Sequence, residues 1–390
     1  MIPVSDALER LFALVSPVGS EDVALVEAAG RVLAQDVTAR RDQPPFAASA
    51  MDGYAIPGAD AAPGDVLTVI GEAAAGHGFG GAVGAGEAVR IFTGAPLPEG
   101  ADRVVMQEDV TAEGARITLS DRLDPKDHVR PAGSDFRTGD RVPAPRVLRP
   151  ADIALLAAMN IASVPVRRRP EIALIATGDE LVMPGEEPGH DQILASNTFG
   201  LKAMFEGCGA RARLLPIARD SVASLTAAVD LARGADLIVT IGGASVGDHD
   251  LVGRVAGDLG IDRAFYKVAM RPGKPLMAGR IGDAAMVGLP GNPVSAMVCG
   301  QVFVVPMIRA MLGLGAAPAP RQIGRLAAPL DANGPREHYM RARLTPEGLV
   351  AETRQDSALL GVLATADALL VRAPHDPARD VGDMVEYLPI

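Results

Sequence analysis

Three short apolar runs in the middle of the chain, each followed at once by a glycine-bearing loop, constrain the fold more than any other feature. They are residues 171–176 (EIALIA), 236–241 (DLIVTI) and 285–289 (AMVGL). Runs apolar on successive residues suit strands buried on both faces, the condition of a parallel sheet covered by helices on two sides. Helical spacing predicts helices over 197–207, 221–233, 250–258 and 293–311. Strand–helix alternation of this kind predicts a doubly wound α/β domain.

The loops after the runs are Thr177-Gly178-Asp179-Glu180, residues 242–250 (GGASVGDHD) and Pro290-Gly291-Asn292-Pro293. Ligands of open α/β sheets sit at the carboxyl ends of the strands, so three glycine loops on that edge predict one pocket. Asn292 suits an N-cap and Pro293 the first helical position. The helix they open is expected to offer backbone N–H groups to an anion. Gly242, Gly243 and Ser245 are candidates for a similar nest of amides. The bland alternative is that these glycines only make turns.

Carboxylates beside anion-binding amides call for a cation. Glu180, Asp220 and Asp250 are hard oxygen ligands that suit Mg²⁺, although surface solvation is the usual fate of such residues. The basic residues have their own pattern. Of 37, only four are lysine, and Lys267 and Lys274 stand within eight positions of each other. With Arg271 they surround a Pro-Gly turn. In an extended segment 267 and 271 share a face, and three cations there suit a phosphate or a tetrahedral oxyanion. A solvated basic loop is the alternative.

The rest of the chain reads differently. Helices fit 4–15, 20–34 and 151–159. Residues 43–137 carry short strands and turns, including Pro44-Pro45, Pro63-Gly64-Asp65 and a Gly-rich run over 71–86. Residues 315–320 (GAAPAP) read as a linker, and 322–390 as short strands again. In the turn-rich region Asp52 lies in SAMDGY, Thr93 in FTGAP and Asp135 in RPAGSD; each alone is weak, because turns use such residues freely.

Composition excludes several classes. A chain of 390 residues implies more than one domain. Net charge of −11 argues against nonspecific nucleic-acid binding. Two cysteines form no disulfide framework, and no signal-peptide pattern opens the chain, so cytoplasmic residence is expected. The longest apolar stretch, 294–308, contains Gln301 and Pro306 and reads as a buried core helix, with no membrane partner expected. No Walker A pattern, structural zinc cluster or Ser-His-Asp assignment emerges. The run Gly76-His-Gly78-Phe-Gly80 lacks the helical pattern of a dinucleotide site.

Together, SAMDGYA, IFTGAPLP, RPAGSD, ATGDEL, GGASVGDHD, KVAMRPGKP and GLPGNPVS, in that order, resemble the MoeA/gephyrin E-domain family of molybdopterin molybdenumtransferases over essentially the whole chain. The resemblance implies a helical linking domain (1–42 and 138–168), an inserted β-rich domain (43–137), a MogA-like α/β domain (169–314) and a C-terminal β domain (315–390). It implies a homodimer whose cleft lies between the α/β domain of one subunit and the inserted domain of the other. It implies insertion of molybdate into adenylated molybdopterin, with Mg²⁺ and release of AMP. The adenylyltransferase that supplies the substrate and the molybdoenzymes that accept the cofactor are expected partners.

By motif match, Asp52, Thr93, Asp135, Asp250 and Lys267 take the family's catalytic positions. Glu180, Asp220 and Asp250 take those of the metal, and Pro290, Gly291, Asn292 and Pro293 those of the substrate. Arg341 and Ser357 match more loosely, within REHYMRARL and RQDSALL. Arg271 departs from the usual lysine; charge is kept but the planar fork differs. Asp248 stands where Glu is common. Two other readings remain: a molybdopterin adenylyltransferase, whose relatives are usually single α/β domains, and a gephyrin-like scaffold. Tungstate in place of molybdate also stays open.

Overall fold

The three apolar runs become neighbouring strands of one six-stranded sheet. In the computed structural model, which describes residues 1–60, 62–242 and 262–390, its strands are β1 (Glu171–Ala176), β2 (Arg211–Leu214), β3 (Leu237–Ile241), β4 (Asp262–Lys267), β5 (Pro275–Ile281) and β6 (Ala284–Leu289). Their order is β2-β1-β3-β6-β5-β4. The first three pairings are parallel and the last two antiparallel. The sequence runs therefore mark the buried parallel centre, where every residue of β3 is inaccessible. The edge strands β2 and β4, and β5 next to β4, are less uniformly apolar.

The α-helices of seven or more residues among those described are α1 (Val4–Phe12), α2 (Pro150–Ala158), α3 (Asn197–Gly207), α4 (Val222–Leu231), α5 (Pro293–Cys299) and α6 (Val305–Met311). Ser221 caps α4, its hydroxyl accepting from the Ser224 N–H at 3.2 Å. Leu225 and Ala228 of α4 pack on Ile175, Ile238 and Met286 of the sheet. A π turn, Gly300–Val304, joins α5 to α6 without a break. The resulting rod, Pro293–Met311, has a mean hydropathy of 1.6 and is 78% buried. It is the expected core helix. Gly200 and Gly300 let α3 approach it closely: a methyl group on Gly300 would lie 2.6 Å from a Leu201 carbon.

The chain forms two compact units, residues 1–21 with 167–390 and residues 22–166. The first also holds a C-terminal sheet of Met270–Arg271, Glu337–Thr345, Ala368–Arg372, Met384–Pro389 and Gln322–Arg325, with Gly348–Ala351 beside the second of these. The second unit centres on a six-stranded sheet in the order Arg103–Met106, Gly53–Ile56, Glu87–Ile91, Val66–Ala73, Arg116–Leu119, Val110–Glu113.

Two local expectations are corrected. The helix over 20–34 is instead a strand, Ser20–Ala24, a short 3₁₀ turn and a second strand, Val32–Leu33. Gly30 breaks the helical path at φ +74°, and pairing with Arg146–Val147 and Val166 overrides local propensity. The segment 267–271 is not one extended strand. β4 ends at Lys267, and Met270–Arg271 joins the C-terminal sheet beside Glu337 and His338. The expected helix over 250–258 lies outside the described residues.

Candidate active site

The first and third loops, with Gly242 of the second, wall one cleft of about 620 Å³ at the carboxyl ends of β1, β3 and β6. Backbone bonds lock the edge together. The Thr177 N–H donates to the Ile241 carbonyl at 2.9 Å, and the Gly242 N–H to the Leu289 carbonyl at 3.1 Å. Gly242 needs to be glycine: its φ is +92°, and a methyl group there would lie 2.7 Å from the Thr177 carbonyl oxygen. Glu180 and Asp220 both line this cleft, as do Pro290, Gly291, Asn292 and Pro293. Gly243, Ser245 and Asp250 lie outside the described residues. Among the described residues, no three carboxylate, histidine or cysteine side chains gather as a metal site.

Arg219 was not singled out from sequence, yet it organises the first loop. Its guanidinium donates to the carbonyls of Asp179 and Leu181 at 3.0 Å each, and to that of Gly178 at 3.4 Å. The Asp220 N–H donates to the Asp179 carboxylate at 3.0 Å. A side chain that binds main-chain carbonyls leaves no spacing signature, so only a three-dimensional view finds it.

The third loop departs from its expected role. Asn292 does not cap α5 with its side chain. Its amide donates to the Ser357 hydroxyl at 3.0 Å instead, and the Val294 N–H donates to the Ser357 carbonyl at 3.0 Å. Pro293 has no N–H, so two of the donors expected for an anion are lacking or already used. From the other side, the Asn197 amide donates to the Gly291 carbonyl at 2.7 Å. The loop is thus clamped by α3 and by the C-terminal segment that carries Ser357.

Charge is concentrated beside this clamp. Arg341 is fully inaccessible, and its Nε and Nη1 have no hydrogen-bond partner among the described residues. Its Nη2 donates to the carbonyls of Asp356 at 2.9 Å and Arg354 at 3.3 Å. Burial and the nearby Arg271 charge both weaken its hold on the proton. His338 feels the same field: burial, then Arg271, Arg341, Arg372 and Arg336, push its pKa down to about 4. The loop 268–274 that presents Arg271 is closed by the Val268 N–H donating to the Lys274 carbonyl at 3.1 Å. Gly273 sits at its tip with φ +105°, where a methyl group would meet the Cys299 sulfur. Arg271 and Lys274 are exposed. Lys267, half-buried, places its ammonium 5.3 Å from the centre of the Tyr266 ring.

The second unit assembles its own constellation. Thr93 donates to one oxygen of Asp52 twice, from backbone N–H and hydroxyl, both at 2.8 Å. Those two bonds, with a smaller contribution from Arg90, hold the Asp52 carboxyl below its ordinary range against a slight opposing desolvation. Gly53 is required next door, because a methyl group there would lie 2.0 Å from the Val105 carbonyl oxygen of the paired strand. Arg90, also missed in the sequence, lies over Tyr54 and Phe92 and donates to the Gly53 carbonyl at 3.1 Å. Asp135 is not bonded to this pair; its N–H donates to the Gln43 carbonyl at 2.9 Å.

Sheet order, edge loops and added β units define a multidomain α/β protein with its cleft at the carboxyl edge of the parallel strands. Three family profiles match in sequence: the MoeA N-terminal region, domains I and II, over residues 2–160; a probable molybdopterin binding domain over 173–310; and the MoeA C-terminal region, domain IV, over 324–390. A molybdopterin molybdenumtransferase of Haemophilus influenzae is 38% identical over 76% of this chain and 74% of its own length. One from Nostoc is 36% identical over 87% and 81%. The crystal structure of a molybdopterin biosynthesis MoeA protein from Pyrococcus horikoshii superposes with a TM-score of 0.85 at 30% identity, covering 100% of this chain and 99% of that one. The chain belongs to the MoeA family.

Proposed function

We propose that this enzyme of molybdenum cofactor biosynthesis inserts molybdenum from molybdate into adenylated molybdopterin, releasing AMP. The observation that carries the reading is the buried Arg341 guanidinium. Its Nε and Nη1 are unpaired, it lies beside Arg271, and it makes no salt bridge to a carboxylate among the described residues, Asp356 attracting it only from farther off. Two like charges so close suit a doubly charged tetrahedral oxyanion, which would accept from both forks once the covering segment moves aside, since Arg341 is inaccessible as it stands. Lys267 and Lys274 add charge to the same region and would offset that which develops on phosphate oxygens. Gly242, Pro290, Gly291 and Asn292 would cradle the adenylated pterin in the adjoining cleft.

Glu180 and Asp220 fit a hard divalent cation by donor type and by sharing one cleft wall. They would hold Mg²⁺, which would supply positive charge to offset that of the phosphate oxygens. Asp52, oriented by Thr93 and ionised at neutral pH, is suited to position an attacking oxygen. We assign Asp135 to the same step. The working form is proposed to be a homodimer, with Asp52, Thr93 and Asp135 contributed by the second compact unit.

The test is AMP release from adenylated molybdopterin by purified protein with Mg²⁺ and molybdate, in the absence of ATP. Release that requires both ions, with molybdenum recovered in the pterin product, is the expected result. ATP-dependent adenylation of bare molybdopterin would replace this reading with an adenylyltransferase. Binding without turnover would replace it with a carrier or scaffold. Tungstate in a parallel reaction reports the metal preference, and light scattering reports the dimer.

A further inference from the structure

The charged guanidinium of Arg341 is held by one corner only, and the segment holding it is pinned by a side chain with no role so far. Strand Glu337–Thr345 is paired along one side with Ala368–Arg372 at residues 338–342. On its other side, Gly348–Ala351 pairs only with residues 342–345. The backbone ladder ends with the Glu352 N–H donating to the Arg341 carbonyl at 2.8 Å, and there the chain leaves as the segment 352–358.

Gln355 continues the ladder with its side chain. Its Oε1 accepts from the Arg341 N–H at 3.0 Å, and its Nε2 donates to the Arg341 carbonyl at 2.9 Å and to the Glu352 carbonyl at 2.8 Å. The primary amide thus imitates a backbone unit. Pinned this way, the segment points the carbonyls of Arg354 and Asp356 at Nη2 of Arg341. Its far end binds Asn292 and Val294 through Ser357, and Ala358 lines the cleft.

We infer that Gln355 is a positioning residue for oxyanion binding: it fixes the strap 352–358 so that Arg341 is anchored through Nη2 alone and keeps Nε and Nη1 for the anion. The strap also makes the anion end and the cleft end one mechanical piece, since Arg341 and Asn292 are tied to residues three positions apart or fewer. Without the amide, the carbonyl anchors lose their fixed direction, and a long arginine side chain regains rotamers it must lose again on binding. The charge remains; its orientation does not.

This inference rests on the oxyanion assignment above, and the test separates the two. Titration calorimetry with molybdate is run on the full-length protein and on Gln355→Met, a variant of similar length without polar atoms, alongside melting curves and AMP-release kinetics. A rise of about tenfold in both molybdate Kd and molybdate KM is expected, the size of one oriented hydrogen bond, with kcat at saturating molybdate close to wild type and Tm lowered by the three lost bonds. Should the Met variant not fold, Gln355→Glu, which keeps the length and the acceptor for the Arg341 N–H, carries the same comparison. An unchanged Kd overturns the inference, as does a joint fall of kcat and Tm at unchanged KM, which marks a merely structural staple. A wild-type protein that binds no molybdate overturns it too. Molybdate binding weakened in the variant, with no AMP release by wild type, upholds the positioning role and rejects the proposed reaction.

Discussion

Asp52 and Arg341 solve opposite problems. The carboxylate of Asp52 is exposed, and its partners, the Thr93 N–H and hydroxyl, come from the chain itself. Arg341 is sealed from solvent with two donors unmade. The first is finished before any substrate arrives. The second carries an unmet demand, and a buried unpaired charge is costly unless something completes it. The difference separates a group that is preorganised from one whose local stability and ligand affinity draw on the same N–H groups.

The strongest way to break this comparison is Arg341→Met. Molybdate KM is expected to rise at least ~100-fold, since charge-assisted bonds are lost. The ligand-free protein should at the same time melt higher, because an apolar side chain of similar length replaces an unpaired buried charge. A lower Tm would mean that the two carbonyl bonds of Nη2 outweigh the burial cost, and the contrast with Asp52 would collapse.

Asp52→Ala should slow AMP release by about 100-fold, the usual scale for a positioned proton acceptor or orienting carboxylate. An exposed side chain predicts little change in stability, within about 0.5 kcal/mol. If Tm drops with the rate, Asp52 is a turn-former and its place in the reaction is lost.

His338 tests the field around Arg341. Its folded pKa of about 4 lies below its ordinary 6.5, so between those values the unfolded chain binds more protons. Stability is then fully present above pH 6.5 and falls as pH drops toward 4, by at most about 3 kcal/mol. Denaturant titrations of wild type and His338→Gln across pH 4–7 should show this slope in the wild type only.

The mildest change is Thr93→Val. It removes one of two bonds to Asp52 and leaves the backbone donor. AMP release should fall about tenfold, and the acid limb of its pH profile should move to higher pH, because the hydroxyl is one of the groups depressing the Asp52 pKa. An acid limb that stays in place would assign it to another group.

What could be seen in the sequence follows from what local pattern encodes. The strands β1, β3 and β6 announced themselves because both faces of each are buried, and their loops followed. The strand Ser20–Ala24 did not, since its partners lie more than a hundred residues away and the local spacing of Val23, Leu25 and Ala28 fits a helix equally well. Glu180, Asp220 and Asn292 were legible as loop residues of the right chemistry. The working partner of Asn292 was not, because a contact with Ser357 spans 65 positions. Arg341 and Ser357 came only from resemblance. Arg219, Arg90, Asn197 and Gln355 had no signal at all: each acts on backbone carbonyls, and any residue type supplies those.

The rod Pro293–Met311 has a consequence for how the chain is made. A helix apolar on nearly every side has no wet face on which to wait, yet the strap that bonds Val294 and Asn292 is built from residues 352–358. During synthesis the greasiest stretch of the molecule therefore leaves the ribosome some sixty residues ahead of the piece that closes over its start. A chain stalled or cut before residue 352 would carry that stretch with its first turn unfastened, because the Ser357 hydroxyl and carbonyl that Asn292 and Val294 bond would be missing.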